Sequence, residues 1–434
     1  GARWNALYTG NVSVPAEAAR RAGGFDAAIA YGEDVAFGYA LHEQGLPFVY
    51  APEAVVSTRN PKDAAALLRD FSGLAAGSLA LYRSHPGSLP GLPLAAYGAT
   101  NLRMRLVRGG LLRVSRLPGA AHLIGIAFRI WAAGAGWGRL DRPLFELARG
   151  YYYWRGVRAA ATRREWSRLA QWGVPILLYH SVSPRVPGSP DRYSVTPRRF
   201  ALHLRVLRLL GYRIVPLEHL LAGWDAGLLP PRRVAAITFD DGYRDNRTHA
   251  WPILRQAGAA STVFVVSGHV GGSNAWDADN PVPGRRLVTW EELRGMDRAG
   301  FRAEAHSVSH PDLNTLEPAQ LDSEIAGCRR NLEQQLNRAV TMFAYPYGHH
   351  SPVVRDRVAA AGYRHAFTVQ PGLNTPATPP LAHPRLDIHG SDGLLHFMLH
   401  LWTGDDPLQY VPQLLHRGTA RVIRRVLRAP EGSQ

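Results

Sequence analysis

Two adjacent carboxylates and a spaced pair of histidines are the residues in this sequence best suited to metal chemistry. Asp240 and Asp241 end an apolar run, and His306 and His310 follow a second strand-like run. A His-x-x-x-His spacing places two imidazoles on one face of a helical turn, where they can share a divalent ion. An aspartate with two histidines leaves positions open for water and substrate, as catalytic metal sites require. Alternatively, Asp-Asp-Gly is a plain turn and the histidines lie on the surface.

Strand-like runs alternate with amphipathic helical stretches from Val174 onward, and these elements must position the carboxylates and histidines. The apolar runs cover 175–179, 234–239 and 261–266, and the helical stretches cover 197–210, 290–299 and 318–337. Alternation at this length predicts βα units and a parallel sheet or barrel.

Three motifs in this order resemble those of the polysaccharide deacetylases of carbohydrate esterase family 4, the NodB-homology group. They are Thr-Phe-Asp-Asp-Gly-Tyr at 238–243, His-Ser-Val-Ser-His at 306–310 and Phe-Ala-Tyr-Pro-Tyr-Gly at 343–348. The ordered set is far more specific than any one motif. The resemblance extends over roughly residues 174–401. It implies an α/β fold, a distorted (β/α)7 barrel whose groove is open to a glycan.

The resemblance implies a role for each matching residue. Asp241, His306 and His310 would hold a divalent metal, Zn²⁺ by default, although Co²⁺, Mn²⁺ and Ni²⁺ also suit this ligand set. Asp240 would be the general base toward the attacking water, whose pKa the metal lowers. The metal and the backbone N–H of Tyr347 would stabilise the tetrahedral oxyanion, and a histidine would protonate the leaving amine.

One departure from the family pattern concerns the residue that orients the catalytic aspartate. Many members have an arginine for this purpose in the third motif, and Ala344 stands at that place. Arg385 is the candidate to hold Asp240 instead. Together with Tyr345 and Trp290, Arg385 also belongs to the predicted substrate-binding set. Core packing is the alternative for the two aromatic residues.

A second departure concerns the general acid, because the family's Leu-x-His motif is not at its usual late position. Residues 394–396, Leu-Leu-His, match the Leu-x-His motif but lie in a stretch with a helical pattern. Leu-Tyr-His at 178–180 ends the first strand, as in some members that act on poly-N-acetylglucosamine. In a closed barrel the first strand lies beside the last, so we expect His180 to reach the site. The alternative is a core or turn histidine.

The N-terminal region resembles the acceptor half of family 2 glycosyltransferases with the GT-A fold. The resemblance includes Gly-Glu-Asp at 32–34, where Asp34 would be the base that deprotonates an acceptor hydroxyl. Thr58 stands where the family has a later histidine. No Asp-x-Asp motif precedes Trp4, so we expect an incomplete domain without glycosyl transfer activity. The alternative is an acidic loop that caps a helix.

Composition limits the remaining possibilities. The chain has 434 residues, 46% of them hydrophobic and 19% charged, which excludes a disordered tail or a small disulfide scaffold. Its single cysteine excludes an internal disulfide and a Cys-rich zinc site. The formal net charge is +16. Residues 101–171 contain 14 arginines and three acidic residues, which suits peripheral contact with an anionic membrane. We expect no nucleic-acid partner, because no aromatic-interleaved motif accompanies these arginines.

These features predict four segments. They are a partial glycosyltransferase domain (1–95), an Arg-rich helical connector (96–173), a deacetylase domain (174–405) and a tail (406–434). The apolar stretch 117–138 is expected to form an interfacial or buried helix. We expect a metal-dependent hydrolase that removes acetyl groups from an N-acetylated glycan, in the cytoplasm at the membrane periphery, with an exported location as the alternative. A glycan-binding assembly protein with a degenerate site and an O-acetyl esterase are the alternatives.

Overall fold

A computed structural model describes residues 4–7, 11–56, 64–99, 102–134, 141–171, 173–184, 191–277 and 284–405. The chain divides into two compact units. The N-terminal unit comprises Gly1–Gly173, Glu218–Arg232 and Thr375–Thr378, and the C-terminal unit comprises Val174–Leu217, Arg233–Asn374 and Pro379–Gln434. Thr58 and the predicted tail, 406–434, lie outside the described residues.

The described elements of residues 4–171 are all helical. Alpha helices are α1 Ala16–Arg21, α2 Glu33–Glu43, α3 Ala64–Ser84, α4 Leu102–Val114, α5 Ala120–Gly134, α6 Asp141–Ala160 and α7 Arg163–Leu169. Leu79 of α3 and Tyr151 of α6 are fully buried in one core. Residues 1–95 and 96–173, which the sequence suggests are separate segments, therefore share a core within one unit.

Among the described residues, no helix combines the length and apolar character needed to cross a membrane. The stretch 117–138 contains α5, whose outer face carries Leu123 and Ile130 with about two thirds of their surface exposed. The inner face of the same helix buries Phe128 in the core of the N-terminal unit. The helix is therefore amphipathic, and its location at an interface stays a prediction.

Parallel strands form the framework of the C-terminal unit. They are β1 Ile176–Tyr179, β2 Ser181–Val182, β3 Ser194–Val195, β4 Arg213–Ile214, β5 Val234–Phe239, β6 Ser261–Val265, β7 Phe301–Ala305, β8 Met342–Ala344, β9 His365–Phe367 and β10 Leu386–Asp387. The main sheet runs in the order β10-β1-β5-β6-β7-β8-β9, with β4 beside the start of β5. The prediction of an α/β unit is confirmed: among the described residues its parallel sheet has eight strands and is curled into a half-barrel, which is consistent with the predicted distorted (β/α)7 barrel.

Residues 380–388, which we call the closing segment, bridge the two ends of this sheet. At its start, the Ala366 N–H donates to the Pro380 carbonyl of the closing segment at 2.8 Å, and His383 pairs with Phe367. At its end, Ile388 N–H donates to the Leu178 carbonyl of β1 at 2.9 Å. The closing segment thus links β9, at one end of the sheet, to β1, near the other end.

The C-terminal unit contains the helices α8 Pro197–Leu209, α10 Trp251–Gln256, α11 Trp290–Arg298, α12 Pro318–Leu336, α13 Pro352–Ala360 and α14 Leu394–Thr403. The helix α9 Leu217–Asp225 belongs, except for its first residue, to the N-terminal unit. Thr289 forms a capping box with Glu292 at the start of α11, which satisfies two backbone N–H groups. A π-helical turn, Asn246–Ala250, leads directly into α10.

Candidate active site

The register of the parallel strands brings His180 and Asp240 to the same edge of the sheet. Tyr179 of β1 pairs with Phe239 of β5, and the Asp240 N–H donates to the Tyr179 carbonyl at 3.0 Å. Both residues therefore follow the carboxyl ends of neighbouring strands, where ligands bind in open α/β sheets. All six residues of β5 are buried, so Asp240 and Asp241 follow a fully buried strand.

Asp241, His306 and His310 form a buried cluster with a shape that fits a metal ion. Nε2 of His306 and Nε2 of His310 each lie 3.5 Å from Oδ1 of Asp241, and the three ligand atoms lie within 4.8 Å of one another. Ligand atoms about 2.1 Å from a tetrahedral ion are about 3.4 Å apart. The three side chains are therefore spaced to share one cation.

The surrounding backbone fixes the orientation of the first histidine. Nδ1 of His306 donates to the Ala344 carbonyl at 2.8 Å, so Nε2 is left to face Asp241. A hydrogen bond of this kind sets the tautomer of a metal-binding histidine. Glu324 of α12 accepts hydrogen bonds from the N–H groups of Val308 and Ser309, both at 2.9 Å, and so holds the loop between the histidines.

Four non-glycine residues at this edge have left-handed backbone conformations. Their φ angles are 71° at Asp241, 64° at Ser307, 63° at His310 and 58° at Tyr347. Such conformations are unfavourable for residues with a Cβ and persist where the surrounding structure enforces them. Their concentration here indicates that the site, rather than local preference, determines the backbone.

Electrostatics favours an ionised carboxylate beside a neutral imidazole. Burial alone would raise the pKa of Asp241, but the hydrogen bond from His306 and the charges of nearby histidines hold it well below its usual range. Burial and then the charge of His306 lower the pKa of His310 to about 3. Carboxylate and neutral imidazole are the protonation states that bind a metal.

Asp240 is held from the opposite side by Arg385, which is fully buried in the closing segment. Nη1 and Nη2 of Arg385 contact Oδ1 and Oδ2 of Asp240, both at 2.7 Å. Nε of Arg385 donates to the Thr368 carbonyl at 3.0 Å. Because both carboxylate oxygens are held by one rigid guanidinium, Asp240 has a fixed orientation.

His180 lies beside a second carboxylate, Asp387, at the end of β10. Nδ1 of His180 is 3.8 Å from Oδ1 of Asp387, while Nε2 of His389 is 3.1 Å from Oδ2. Burial opposes ionisation of Asp387, but the hydrogen bond from His389 holds its pKa below the usual range. His180 remains partly accessible, with 16% of its side chain exposed.

Aromatic rings flank the metal cluster. The Trp276 and Tyr347 rings lie 5.1 Å and 4.7 Å from the His310 ring, and Tyr347 is 47% exposed. Among the described residues, no acceptor is bound to the backbone N–H of Tyr347. Partly exposed rings beside a cluster of this type are suited to contact a sugar face.

Comparison with known proteins identifies the unit that contains this site. Residues 229–366 match the polysaccharide deacetylase family. The C-terminal half of this chain carries a polysaccharide deacetylase domain. Over 199 residues the chain is 28% identical to YxkH of Bacillus subtilis (strain 168), which is named for the same family; the alignment covers 46% of this chain and 65% of YxkH.

Other relatives have more specific names. The poly-beta-1,6-N-acetyl-D-glucosamine N-deacetylase of Staphylococcus aureus (strain MSSA476) is 24% identical over 221 residues, which are 49% of this chain and 73% of that protein. The Streptococcus pyogenes deacetylase PplD, solved with acetate, is 24% identical, with a TM-score of 0.46, and the match covers 54% of this chain and 98% of PplD. For IcaB of Ammonifex degensii the identity is 24%, the TM-score is 0.45 and the coverages are 54% and 97%.

The deacetylase domain brings together most of the residues predicted for its site. Asp241, His306 and His310 cluster, Asp240 adjoins them with its Oδ2 3.9 Å from His306 Nε2, and Tyr347 contacts His310. His180 lies at the same strand edge. In the N-terminal unit, Asp34 lies in the first turn of α2 and accepts the Val35 N–H at 2.8 Å. Its predicted role as a base stays a prediction.

The three residues predicted to contact substrate are buried or partly buried, and their contact with substrate stays a prediction. Tyr345 is fully buried, and its hydroxyl donates to the Leu381 carbonyl at 3.0 Å. Trp290 packs against the hydrophobic core in the first turn of α11. Arg385 is equally buried and both of its terminal nitrogens contact Asp240, so it positions that carboxylate.

Sequence reasoning missed three contributors to the site of the deacetylase domain. Asp387 ends a two-residue strand, a signal too short to distinguish from a turn. Trp276 belongs to an irregular stretch, and only the three-dimensional contact with His310 reveals its position. The Ala344 carbonyl binds His306 through its backbone, for which a side-chain motif offers no signal.

Proposed function

We propose that this chain is a metal-dependent hydrolase that removes acetyl groups from an N-acetylated polysaccharide or oligosaccharide. The observation that carries the proposal is the buried Asp241, His306 and His310 cluster, flanked by Asp240 at one side and by His180 at the same strand edge. One group can accept a proton and the other can donate one, as hydrolysis of an amide requires.

Each residue has a defined task in this reaction. Asp241, His306 and His310 would hold the cation, which when bound polarises a carbonyl oxygen and makes water more acidic. Asp240, fixed by Arg385, accepts a proton from the attacking water. The backbone N–H of Tyr347 donates to the oxygen that becomes negative in the tetrahedral intermediate.

The bonds balance without a further reactant. The water oxygen forms a bond to the acetyl carbon, the C–N bond breaks, and acetate leaves. The His180 imidazolium protonates the amine as it departs. Asp387 supports this role by its position, because its Oδ1 lies 3.8 Å from Nδ1 of His180, where a carboxylate can orient the imidazole.

For the cation, we propose Zn²⁺, with Co²⁺, Mn²⁺ and Ni²⁺ as competitors. Two imidazole nitrogens and one carboxylate oxygen are a common ligand set for zinc in catalytic sites. The affinity order of divalent metals does not by itself exclude the other three.

For the substrate, we propose a poly-N-acetylglucosamine. Similarity to the Staphylococcus aureus relative that is named for this polymer supports it. The aromatic residues Trp276 and Tyr347 beside the metal cluster also support a sugar ligand.

Two features of the sequence favour the alternative of a degenerate, glycan-binding protein. They are Ala344 in place of an arginine and the absence of a late Leu-x-His motif. The contacts of Arg385 with Asp240, and the location of His180, weaken this alternative because they supply both missing parts from elsewhere.

Release of acetate from chitooligosaccharide and poly-N-acetylglucosamine tests the proposal. We expect activity that chelation abolishes and added Zn²⁺ restores, and no activity in Asp241→Asn. The matched control is His349→Gln, because His349 is exposed and contacts Asp312 outside the cluster. Unchanged activity in Asp241→Asn would contradict the metal assignment, and release from O-acetylated but not N-acetylated substrates would indicate the esterase.

For the N-terminal unit, we propose an origin in the acceptor half of a GT-A glycosyltransferase. The position of Asp34 at the start of α2 is compatible with this origin. Turnover of any UDP-sugar by the purified chain would contradict the expected lack of transfer.

We further propose that residues 101–171 contact an anionic membrane from the cytoplasmic side. Exposed Leu123 and Ile130 on the Arg-rich connector support this contact. Sedimentation with phosphatidylglycerol vesicles should exceed sedimentation with phosphatidylcholine vesicles, and Leu123→Ser with Ile130→Ser should abolish the difference. Protection of the deacetylase domain from protease inside inverted vesicles would contradict the cytoplasmic location.

A further inference from the structure

The N-terminal unit contains a cavity of about 440 Å³. Residues of α2, α3, α4 and α6 contribute to its wall, which is mainly apolar. The wall includes Val35, Phe71, Leu81, Leu147 and Trp154. A space of this size and lining is suited to a hydrocarbon chain.

A buried arginine, Arg108 of α4, forms part of the same wall. Only 5% of its surface is exposed. Its guanidinium carbon lies 4.4 Å from the centre of the Tyr97 ring and 5.9 Å from that of Trp154, and Nη2 donates to the Tyr97 carbonyl. Nε of Arg108 is buried without a hydrogen-bond partner. Cation–π contacts and one carbonyl thus leave part of the guanidinium unsatisfied.

No carboxylate is paired with Arg108 among the described residues. Glu146 also lines the cavity, but its Oε2 contacts Nη2 of Arg149 at 2.5 Å, and that pair is about half exposed. Burial lowers the pKa of Arg108, although the contact with Tyr97 opposes the change. An unpaired buried charge is strongly unfavourable, so an anion beside Arg108 would relieve the imbalance.

Size and charge together limit the ligand. An inorganic anion could pair with Arg108 but would leave the apolar wall uncovered. A neutral hydrocarbon could fill the space but would leave the guanidinium without a counter-ion. We propose that this cavity binds an anionic amphiphile, whose carboxylate or phosphate contacts Arg108 and whose hydrocarbon chain covers the apolar wall. The proposal is independent of the deacetylase activity, because the cavity lies entirely within the N-terminal unit.

Calorimetric titration of the full chain tests this proposal with four probes: dodecyl phosphate and dodecanoate below their critical micelle concentrations, dodecanol below its solubility limit, and inorganic phosphate. We expect one equivalent of an anionic amphiphile to bind at least about 10-fold more tightly than dodecanol, which corresponds to about 1.4 kcal/mol. Inorganic phosphate should bind much more weakly than the anionic amphiphile and more weakly than dodecanol. The two anionic probes determine which head group is preferred.

Variants distinguish this cavity from the Arg-rich surface. Arg108→Met should remove the preference for the anionic probes while dodecanol binding remains, and Arg108→Lys should retain part of the preference. Ala96→Phe, which fills the cavity, should weaken all three chain-bearing probes. Arg113→Met is the matched control, because Arg113 lies exposed on the same helix outside the cavity.

Three outcomes would overturn the proposal. They are equal binding of dodecyl phosphate and dodecanol by the natural chain, full retention of the preference in Arg108→Met, and loss of binding in Arg113→Met equal to that in Arg108→Met. Acetate release, measured in parallel, reports on the deacetylase domain separately, so failure of one proposal does not imply failure of the other.

Discussion

Arg385 and Asp240 form a two-point ion pair across 145 residues of sequence, with both N–O distances at 2.7 Å. The arginine comes from the closing segment and the aspartate from the end of β5. The pair therefore links the last part of the sheet to the carboxylate beside the metal cluster. Its geometry is that of a guanidinium fork on a carboxylate, which a point charge cannot reproduce.

Replacing this arginine should impair catalysis without removing the metal. We expect Arg385→Lys to lower kcat by about 100-fold, because a lysine cannot hold both oxygens of Asp240 and misplacement of a catalytic group by 1 Å has effects of this size. Acetate release and metal content by mass spectrometry are the measurements. Equal loss of metal and activity would instead assign Arg385 to the integrity of the metal site.

Replacement of His180 should slow hydrolysis more for a substrate with a poor leaving group than for one with a good leaving group. We expect His180→Gln to slow release of acetate from an N-acetylated glycan by about 100-fold or more, as for other general acids. Hydrolysis of 4-nitrophenyl acetate should change little, because the phenolate leaves without a proton.

His396→Gln is the matched control for this prediction, because residues 394–396 also fit the Leu-x-His letters. His396 lies on α14, and its Nδ1 is 3.3 Å from Oδ1 of Asp392. A large loss of glycan deacetylation in His396→Gln, with activity retained in His180→Gln, would reverse the assignment.

Trp276 should contribute to substrate affinity more than to chemistry. We expect Trp276→Ala to raise KM for a glycan about 5- to 10-fold, because an aromatic contact contributes about 1 kcal/mol. Trp290→Phe should leave KM unchanged, since Trp290 packs against the core. Steady-state kinetics on chitooligosaccharides checks both, and an unchanged KM in Trp276→Ala would exclude a role in binding.

Glu304 on β7 should make a pH-dependent contribution to the free energy of unfolding. Burial raises its pKa from 4.5 to about 7, although Arg338 opposes the change with an ion pair at 2.9 Å. The folded chain thus holds this proton more tightly than the unfolded chain. The resulting stabilisation is complete below pH 4.5 and is lost as the pH rises through about 7.

The variant Glu304→Gln removes this titration. Relative to the natural chain, its free energy of unfolding should rise by about 3 kcal/mol from pH 4.5 to pH 8, because each pKa unit corresponds to about 1.4 kcal/mol. Urea unfolding across this range is the measurement, with exposed Glu291→Gln as control. A pH-independent difference between Glu304→Gln and the natural chain would contradict the raised pKa.

The short spacing of His306 and His310 predicts that they share an ion, and both do lie beside Asp241, but in a loop after β7 and not on a helical turn. The prediction for His180 rests on the first and last strands of a barrel being neighbours, and Arg385 is predicted as a substitute for the arginine that Ala344 replaces. The motif match over 229–366 includes neither residue.

Other features could not be read from sequence, because they depend on contacts between distant segments. Tyr345 follows β8, and no periodicity in so short a strand shows that its ring faces the core. The common core of 1–95 and 96–173 depends on packing of α3 against α6. Helical propensity and charge do not specify such pairing.

Because the closing segment lies late in the chain, the residues of the site are synthesised at very different times. His180 is synthesised early in the deacetylase domain, whereas Arg385 and Asp387 are among the last described residues to leave the ribosome. A nascent chain that already contains Asp241, His306 and His310 still lacks the arginine that holds Asp240. Because Leu386 and Ile388 of this segment are also buried in the core, premature termination before it should yield a product that does not turn over substrate.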